Sequence, residues 1–334
     1  MKKRDWLHLS IIILILIFGY YRYKQKLYQL NNSQILMDTQ VEISLSSKSR
    51  QVNKILDKAF DRIRMYDEKF SYYNSKSELN KINQNPSEIV LIDKEFHEIL
   101  SVAQKISIES NGLYDVTIGN LIEAWNFNNA IVPDSLTILN AMINSGYEKL
   151  NLTKSSIKRP FGMKINLGSI SKGYIIDKTM DYLIKQNIEE AYINAGGDIR
   201  VYSKHDKPIR IGIQHPRIAN DIIATLEVSN MSVVTSGDYE RFFEKDGIRY
   251  HHIINPKTGY PALKTISVTV ISKSALIADG LSTTLFVMNP IEGIELVKKY
   301  PDTEAIIYYK SDEGIVSLKS SGIKKYLVSE KSLD

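Results

Sequence analysis

Apolar residues recur at helical spacing in two stretches of the N-terminal half of the chain. Val52, Ile55, Leu56, Ala59, Phe60, Ile63 and Phe70 mark one amphipathic helix, and Phe96, Ile99, Leu100, Ala103 and Ile106 mark a second. Asp134 to Ser145 reads as a third, stopped by Gly146. Ser171 to Lys185, Ser274 to Val287, and Ile291 to Tyr300 after Asn289-Pro290 are further helical candidates. Between them fall short β-rich runs: Gln40 to Leu45, Ala191 to Asn194, Ile209 to Gln214, Ile222 to Val228, Ile266 to Ile271 and Ala305 to Tyr309. Helices and strands mix without strict βαβ alternation, which predicts an α+β (irregular α/β) fold. No repeat, low-complexity segment or Pro- or Gly/Ser-rich linker divides residues 31–334, so they are expected to form one domain.

Residues 1–30 have a different pattern. Trp6 to Tyr23 is an apolar stretch between basic flanks, with Trp6 at one end and Tyr20, Tyr21 and Tyr23 at the other, an arrangement suited to a membrane interface. Its core, Ile11 to Phe18, is short for a span of about 20 residues, so a cleaved signal peptide and a buried helix compete with an uncleaved anchor. No Ala precedes Ala59, which removes an A-x-A cleavage site and favours the anchor. Lys2, Lys3 and Arg4 on the inner side would place the body on the extracytoplasmic (periplasmic or cell-surface) side, with Arg22, Lys24 and Lys26 as a counter-signal.

Composition narrows the remaining classes. With 334 residues, 43% hydrophobic and 24% charged, the chain can bury a large core and is neither disordered nor collagen-like. Six of its 43 basic residues and one of its 38 acids lie in the first thirty positions, leaving 37 of each in the body. A neutral body offers no electrostatic footprint for a nucleic-acid backbone. The absence of cysteine removes disulfides, iron–sulfur clusters, thiolate zinc sites, a Cys nucleophile and a lipoprotein anchor.

Four segments could carry chemistry. Ile193-Asn194-Ala195-Gly196-Gly197-Asp198 is a β-run emptying into paired glycines, where backbone N–H groups can face an anion, although a plain turn reads equally well. Neither a Walker pattern nor G-x-G-x-x-G occurs. Asp279 and Thr283 stand four apart in a predicted helix and share a face; a carboxylate and a hydroxyl suit a hard cation such as Mg²⁺. The structural alternative is a surface Asp and a Thr bonded back to a carbonyl. In Tyr250 to Gly259, His251 and His252 project to opposite sides of a strand-like run, so they form no zinc pair, and either could be a general base. His8, His97, His205 and His215 read as structural. Finally, Ser169 to Lys172 matches S-x-x-K, Tyr192 to Asn194 matches Y-x-N, and Lys257 to Gly259 matches K-T-G, the marks of a penicillin-interacting serine acyl-transferase. Against it, the K-T-G sits between Pro256 and Pro261, where a strand is poorly supported, and Lys172 and Tyr192 lie too close for the usual intervening helices.

Taken together and in order, these segments resemble the FAD:protein FMN transferase family (ApbE-type flavin transferases), from Met37 to about Tyr309. The resemblance rests on Met37-Asp38-Thr39, Ser71-Tyr72-Tyr73, Gly112 to Gly119 with Trp125 following, and Asn166 to Gly173. It continues through Asn194 to Asp198, Ile213 to Pro216, Thr235 to Tyr239, His251 to Gly259, and Ala278 to Thr283. It implies an ApbE-type, T-fold-related arrangement of mixed sheets packed with helices, and Mg²⁺-dependent transfer of FMN from FAD to a Thr or Ser hydroxyl of an acceptor flavoprotein, releasing AMP. By position, Asp279, Thr283 and Ser169 would hold the metal, and His252 would take the acceptor's proton. Met37, Tyr73, Gly112, Leu113, Tyr114, Asp115, Asn166, Lys172, Gly196, Gly197 and Ile253 fall where the family contacts FAD. Two positions depart: Asp38 stands for a common glycine and Asn166 for a common aspartate, so a protein that only binds or hydrolyses FAD is the alternative. A membrane helix would replace the lipid tether of relatives that carry the lipoprotein cysteine.

Overall fold

The computed structural model describes residues 3–312 and 314–331; of the N-terminal charges, Lys2 lies outside them. Helix α1 (Lys3–Lys24) leads into the hairpin β1 (Tyr28–Leu36) and β2 (Thr39–Ser47). Then come α2 (Val52–Phe70), α3 (Glu78–Gln84), β3 (Ile89–Leu91), α4 (Lys94–Glu109), α5 (Gly119–Trp125), α6 (Ser135–Ile143), β4 (Asn151–Leu152) and β5 (Ser156–Lys158). Helix α7 (Ser171–Lys185) precedes the strands β6 (Glu190–Ala195), β7 (Asp198–Ser203), β8 (Ile209–Gln214), β9 (Ile222–Val228), β10 (Ser232–Gly237), β11 (Phe242–Lys245), β12 (Ile248–His251) and β13 (Thr265–Ser272). The chain ends with α8 (Ala275–Val287), α9 (Pro290–Val297), β14 (Thr303–Ser311), β15 (Gly314–Lys319) and β16 (Leu327–Glu330).

This is the α+β class expected from the sequence. An antiparallel sheet in the order β1-β2-β6-β7-β10-β13-β14-β15 forms the backbone of the molecule. Helices α2, α7 and α8 cover one face and α4 packs on α8; Ile63, Ile99, Ile176 and Leu281 share one buried cluster with Ile43, Ile193 and Val268. On the other face the small sheet β16-β9-β8 packs Ile211, Ile223 and Leu226 against Val201, Val233 and Ile306. Strand β13 is therefore buried at all eight positions although its sequence, TISVTVIS, alternates apolar with hydroxyl side chains; Thr269 meets the Thr235 hydroxyl at 2.9 Å and Ser272 the Thr303 hydroxyl at 3.1 Å.

The predicted helices form with ends displaced by one to three residues where caps decide them. Asp134 accepts from Thr137 N–H at 2.7 Å and starts α6, Ser274 accepts from Ile277 N–H and starts α8, and Asn289 caps α9 with Pro290 at its first position. Strand β1 was not expected, because YQLNNSQIL is polar; as an edge strand it needs only its ladder with β2. The hairpin turn between them holds Met37 and Asp38 at φ of 54° and 56°. Two successive left-handed residues make the turn that glycine ordinarily fills, and aspartate is among the side chains that tolerate it. Asp67 fixes the turn by accepting from Met37 N–H at 2.8 Å.

Helix α1 presents Ile11 to Phe18 exposed, at 45–66% of their surface. Among the described residues, no helix is long and apolar enough to cross a membrane.

Helices α7 and α8 meet at Gly173. A Cβ there would lie 2.2 Å from Ala275 O and 2.8 Å from Asp279 Cβ, so only glycine lets the two helices approach this closely. Asp177, one turn along α7, accepts from Ala275 N–H at 2.9 Å, Leu276 N–H at 3.1 Å and the Ser274 hydroxyl at 2.7 Å, and pairs with Arg200 at 2.7 Å. A carboxylate on these first N–H groups satisfies donors that α8 cannot satisfy itself. Gly173→Ala is expected to cost about 1–3 kcal/mol by overpacking this contact, read as a lower urea midpoint with unchanged slope.

Candidate active site

A cavity of about 1000 Å³ opens where the β1–β2 turn, the start of α7, the middle of α8 and the loops after α2, α5 and β10 converge. Asp279 and Thr283 both line it, one helical turn apart. Asp279 is 4% exposed and accepts from Gly173 N–H at 2.9 Å, so the first turn of α7 orients its carboxylate. The surface-Asp alternative is thereby excluded. The back-bonding hydroxyls are the neighbours instead: Ser282 donates to Asp279 O at 2.9 Å and Thr284 to Gly280 O at 2.6 Å.

Ser169, Ser171 and Lys172 line the same wall from the start of α7. The Ser169 hydroxyl donates to Tyr114 Oη at 3.1 Å, and the Lys172 ammonium meets the buried Asp198 carboxylate at 3.0 Å. Burial alone would lower the Lys172 pKa, but Asp198 first, then Asp279 and Glu240, hold it above its ordinary value. Asp279 is pushed up to about 7, by burial and then by Asp198, against the pull of Lys172 and Gly173 N–H. Glu240 is pushed up to about 8, again by burial, with Asp198 and Asp279 adding to it. The wall is thus short of positive charge. Among the described residues no group of three or more His, Cys, Asp or Glu side chains could hold a metal ion. A cation here must complete its shell from hydroxyl, carbonyl, water and phosphate oxygens, the habit of a hard ion with one or two protein carboxylates.

The two histidines do project to opposite sides. His251 is buried, its Nε2–H donating to Ala262 O at 2.6 Å and its Nδ1 accepting from Ile253 N–H at 3.3 Å, edge-on to Phe286. His252 lines the cavity and donates from Nδ1 to Arg241 O at 3.2 Å, which leaves Nε2 as a proton acceptor. Burial, reinforced by His251, Lys172 and Arg241, lowers its pKa to about 4, so the ring is neutral at pH 7. Trp125 supports this segment from behind by donating from Nε1 to Gly259 O at 2.8 Å.

Met37, Tyr73, Leu113, Tyr114, Asp115, Asn166, Gly196 and Ile253 also line the cavity. Asp115 spends its oxygens on Thr117 N–H at 2.7 Å and Tyr147 N–H at 2.8 Å, which makes it a brace for its own turn. Asn166 accepts from Gly168 N–H at 2.8 Å, leaving its NH₂ as the donor available to a ligand. Gly112 and Gly197 are not lining residues. Gly112, at φ 75°, ends α4 by donating to Ser107 O at 2.8 Å, while Gly196 and Gly197 form the tight β6–β7 turn. The serine-enzyme constellation is not assembled, since Lys172 is paired with Asp198 and Tyr192 lines a different, shallow cleft. Sequence reasoning missed Asp198, Glu240 and Arg241 as wall residues. Asp198 was signalled by its place directly after the glycine pair, and the other two by following Asp238-Tyr239.

Comparison with known proteins places the chain among sequences and structures of one family. The sequence profile of the ApbE family matches residues 37–307. The FAD:protein FMN transferase of Klebsiella pneumoniae (strain 342) is 31% identical over 294 residues, 85% of this chain and 90% of that protein. The Vibrio cholerae protein of the same name is 32% identical over 286 residues, 82% of this chain and 85% of that one. Among solved structures, the ApbE protein of Thermotoga maritima superposes with a TM-score of 0.81 at 32% identity, covering 92% of this chain and all of its own. The chain belongs to the ApbE family.

The raised carboxyls set a pH dependence of stability. Glu240 binds its proton more tightly folded than unfolded, so its contribution is complete below about pH 4.5 and is lost as pH rises through about 8. Wild type is therefore expected to lose stability relative to Glu240→Gln between about pH 5 and 8, measured by thermal melts in chelator across that window.

Proposed function

We propose that this protein is an FAD:protein FMN transferase, moving the FMN part of FAD onto a Thr or Ser hydroxyl of an acceptor flavoprotein and releasing AMP. The observation that carries the reading is the convergence of Asp279, Thr283 and His252 on one cavity, in a chain whose relatives bear that name. The cavity volume lies at the upper end of the range for small-molecule sites, ample for a dinucleotide.

Asp279 and Thr283 would hold Mg²⁺, with Ser169 supplying a further oxygen; the shortage of positive charge around Asp279 fits such an ion. Bound there, the ion supplies charge neutralisation at the diphosphate. The chain's own residues do the rest. Gly173 N–H fixes the Asp279 carboxylate, and Asn166 and Tyr73 offer a donor and an aromatic face to the nucleotide. His252 Nε2 takes the acceptor hydroxyl's proton as its oxygen forms the new P–O bond to the FMN phosphorus. The bond from that phosphorus to the bridging oxygen breaks, and the oxygen leaves with AMP.

Incubation of the full chain with FAD, Mg²⁺ and candidate flavoproteins should give an acceptor heavier by one FMN phosphoester in intact-mass spectra. Asp279→Ala should abolish the adduct, and His252→Ala should slow it about 10²- to 10⁴-fold. AMP and FMN accumulating at full rate without an acceptor would instead establish the hydrolytic reading.

The exposed apolar run Ile11 to Phe18, flanked by Trp6, supports attachment of the N-terminal segment to the cytoplasmic membrane, with the catalytic body on its extracytoplasmic side. Removal of residues 1–26 is expected to leave FMN transfer unchanged and abolish co-sedimentation with lipid vesicles; persistent co-sedimentation would refute the tether.

A further inference from the structure

Six carboxylates line the cavity: Asp38, Asp67, Asp115, Asp198, Glu240 and Asp279. Among the described residues, its cationic side chains are Lys172 and Arg241. Lys172 is committed to Asp198. Arg241 is committed to nothing charged: its guanidinium donates to the neutral Asn128 Oδ1 at 2.6 Å and lies over the Tyr73 ring, 5.8 Å from the centroid. All three side chains are exposed at the cavity mouth, where a hydrogen bond to an amide and a hydrated cation–π contact hold a guanidinium weakly.

The same residue is tied to the proposed base. The Arg241 carbonyl accepts both the backbone N–H of His252, at 3.1 Å, and its ring Nδ1–H, at 3.2 Å. The backbone of Arg241 is thus fixed to the proposed base, and its positive charge is among those that lower the His252 pKa.

We infer that Arg241 is a phosphate-binding residue of this enzyme, exchanging Asn128 and Tyr73 for the non-bridging oxygens of the dinucleotide diphosphate. A planar fork with parallel N–H donors suits two such oxygens, and a cation on loan from neutral partners gives up no ion pair to reach them. Arg241 would share the diphosphate charge with a cation held by Asp279 and Thr283, and its charge offsets that of the ionised carboxylates toward an incoming anion. Tyr73, freed of the guanidinium, is left to face the nucleotide.

This inference rests on the FAD reading, and the test separates the two. The full chain with Mg²⁺ is titrated with FAD and with riboflavin, followed by flavin fluorescence, alongside Arg241→Gln, Arg241→Lys and Asn128→Asp. FAD affinity should fall about 10- to 100-fold in Arg241→Gln, less in Arg241→Lys, with riboflavin affinity unchanged. Asn128→Asp should weaken FAD likewise, because a carboxylate at that position captures the fork. The FAD dissociation constant of wild type should also rise with salt more steeply than that of Arg241→Gln. An FAD affinity within twofold of wild type in Arg241→Gln, an equal loss for riboflavin, or identical salt slopes would overturn the phosphate role. Failure of wild type to bind FAD at all would overturn the functional reading instead.

Discussion

The close contact of α7 with α8 at Gly173 is the constraint on which the cavity floor depends. A side chain there would strike the Ala275 carbonyl and the Asp279 Cβ, and the helices would separate. Because they do not, Gly173 N–H reaches Asp279, and Asp177 reaches the first turn of α8. The orientation of one carboxylate is thus set by backbone and not by a flexible partner, which is how a rigid scaffold fixes a side chain in a cavity wall. The α7 start also carries Ser169 and Lys172, so the contact that aims Asp279 fixes these residues of the same wall as well.

Electrostatics follow from that packing. Burial first, and then the crowding of Asp198, Glu240 and Asp279 around a single ammonium, raises the proton affinity of Glu240 and Asp279. Near pH 7 such a wall keeps part of its carboxyl groups protonated, and a cation placed beside them would favour their ionised form. His252, neutral and held by its Nδ1, is compatible with accepting a proton only while its neighbours keep it uncharged.

Much of the fold was legible because local signals and burial agree. Apolar spacing located α2, α4 and α7, and cap residues account for the ends of α6, α8 and α9. Strand β1 was illegible because an edge strand with a polar sequence is held by its ladder and not by its side chains. Asp38 looked like a weakening of the site, and the backbone gives it another meaning, a non-glycine residue in a left-handed turn. Of the residues anticipated at the site, all but Gly112 and Gly197 line the cavity; the positive φ of those two serves a helix stop and a hairpin, and Asp198, Glu240 and Arg241 join the lining unanticipated.

By itself the sequence determined the fold class, the family, and the pairing of Asp279 with Thr283 on one helical face, since periodicity and helix geometry operate over a few residues. Only the tertiary structure decided that His251 turns into the core, that Asp198 faces Lys172, and that Arg241 lies over Tyr73. Each of those pairs joins segments 26 to 168 positions apart or depends on which side of a strand is buried. Contacts of that kind are settled by packing against the sheet, which no local pattern encodes.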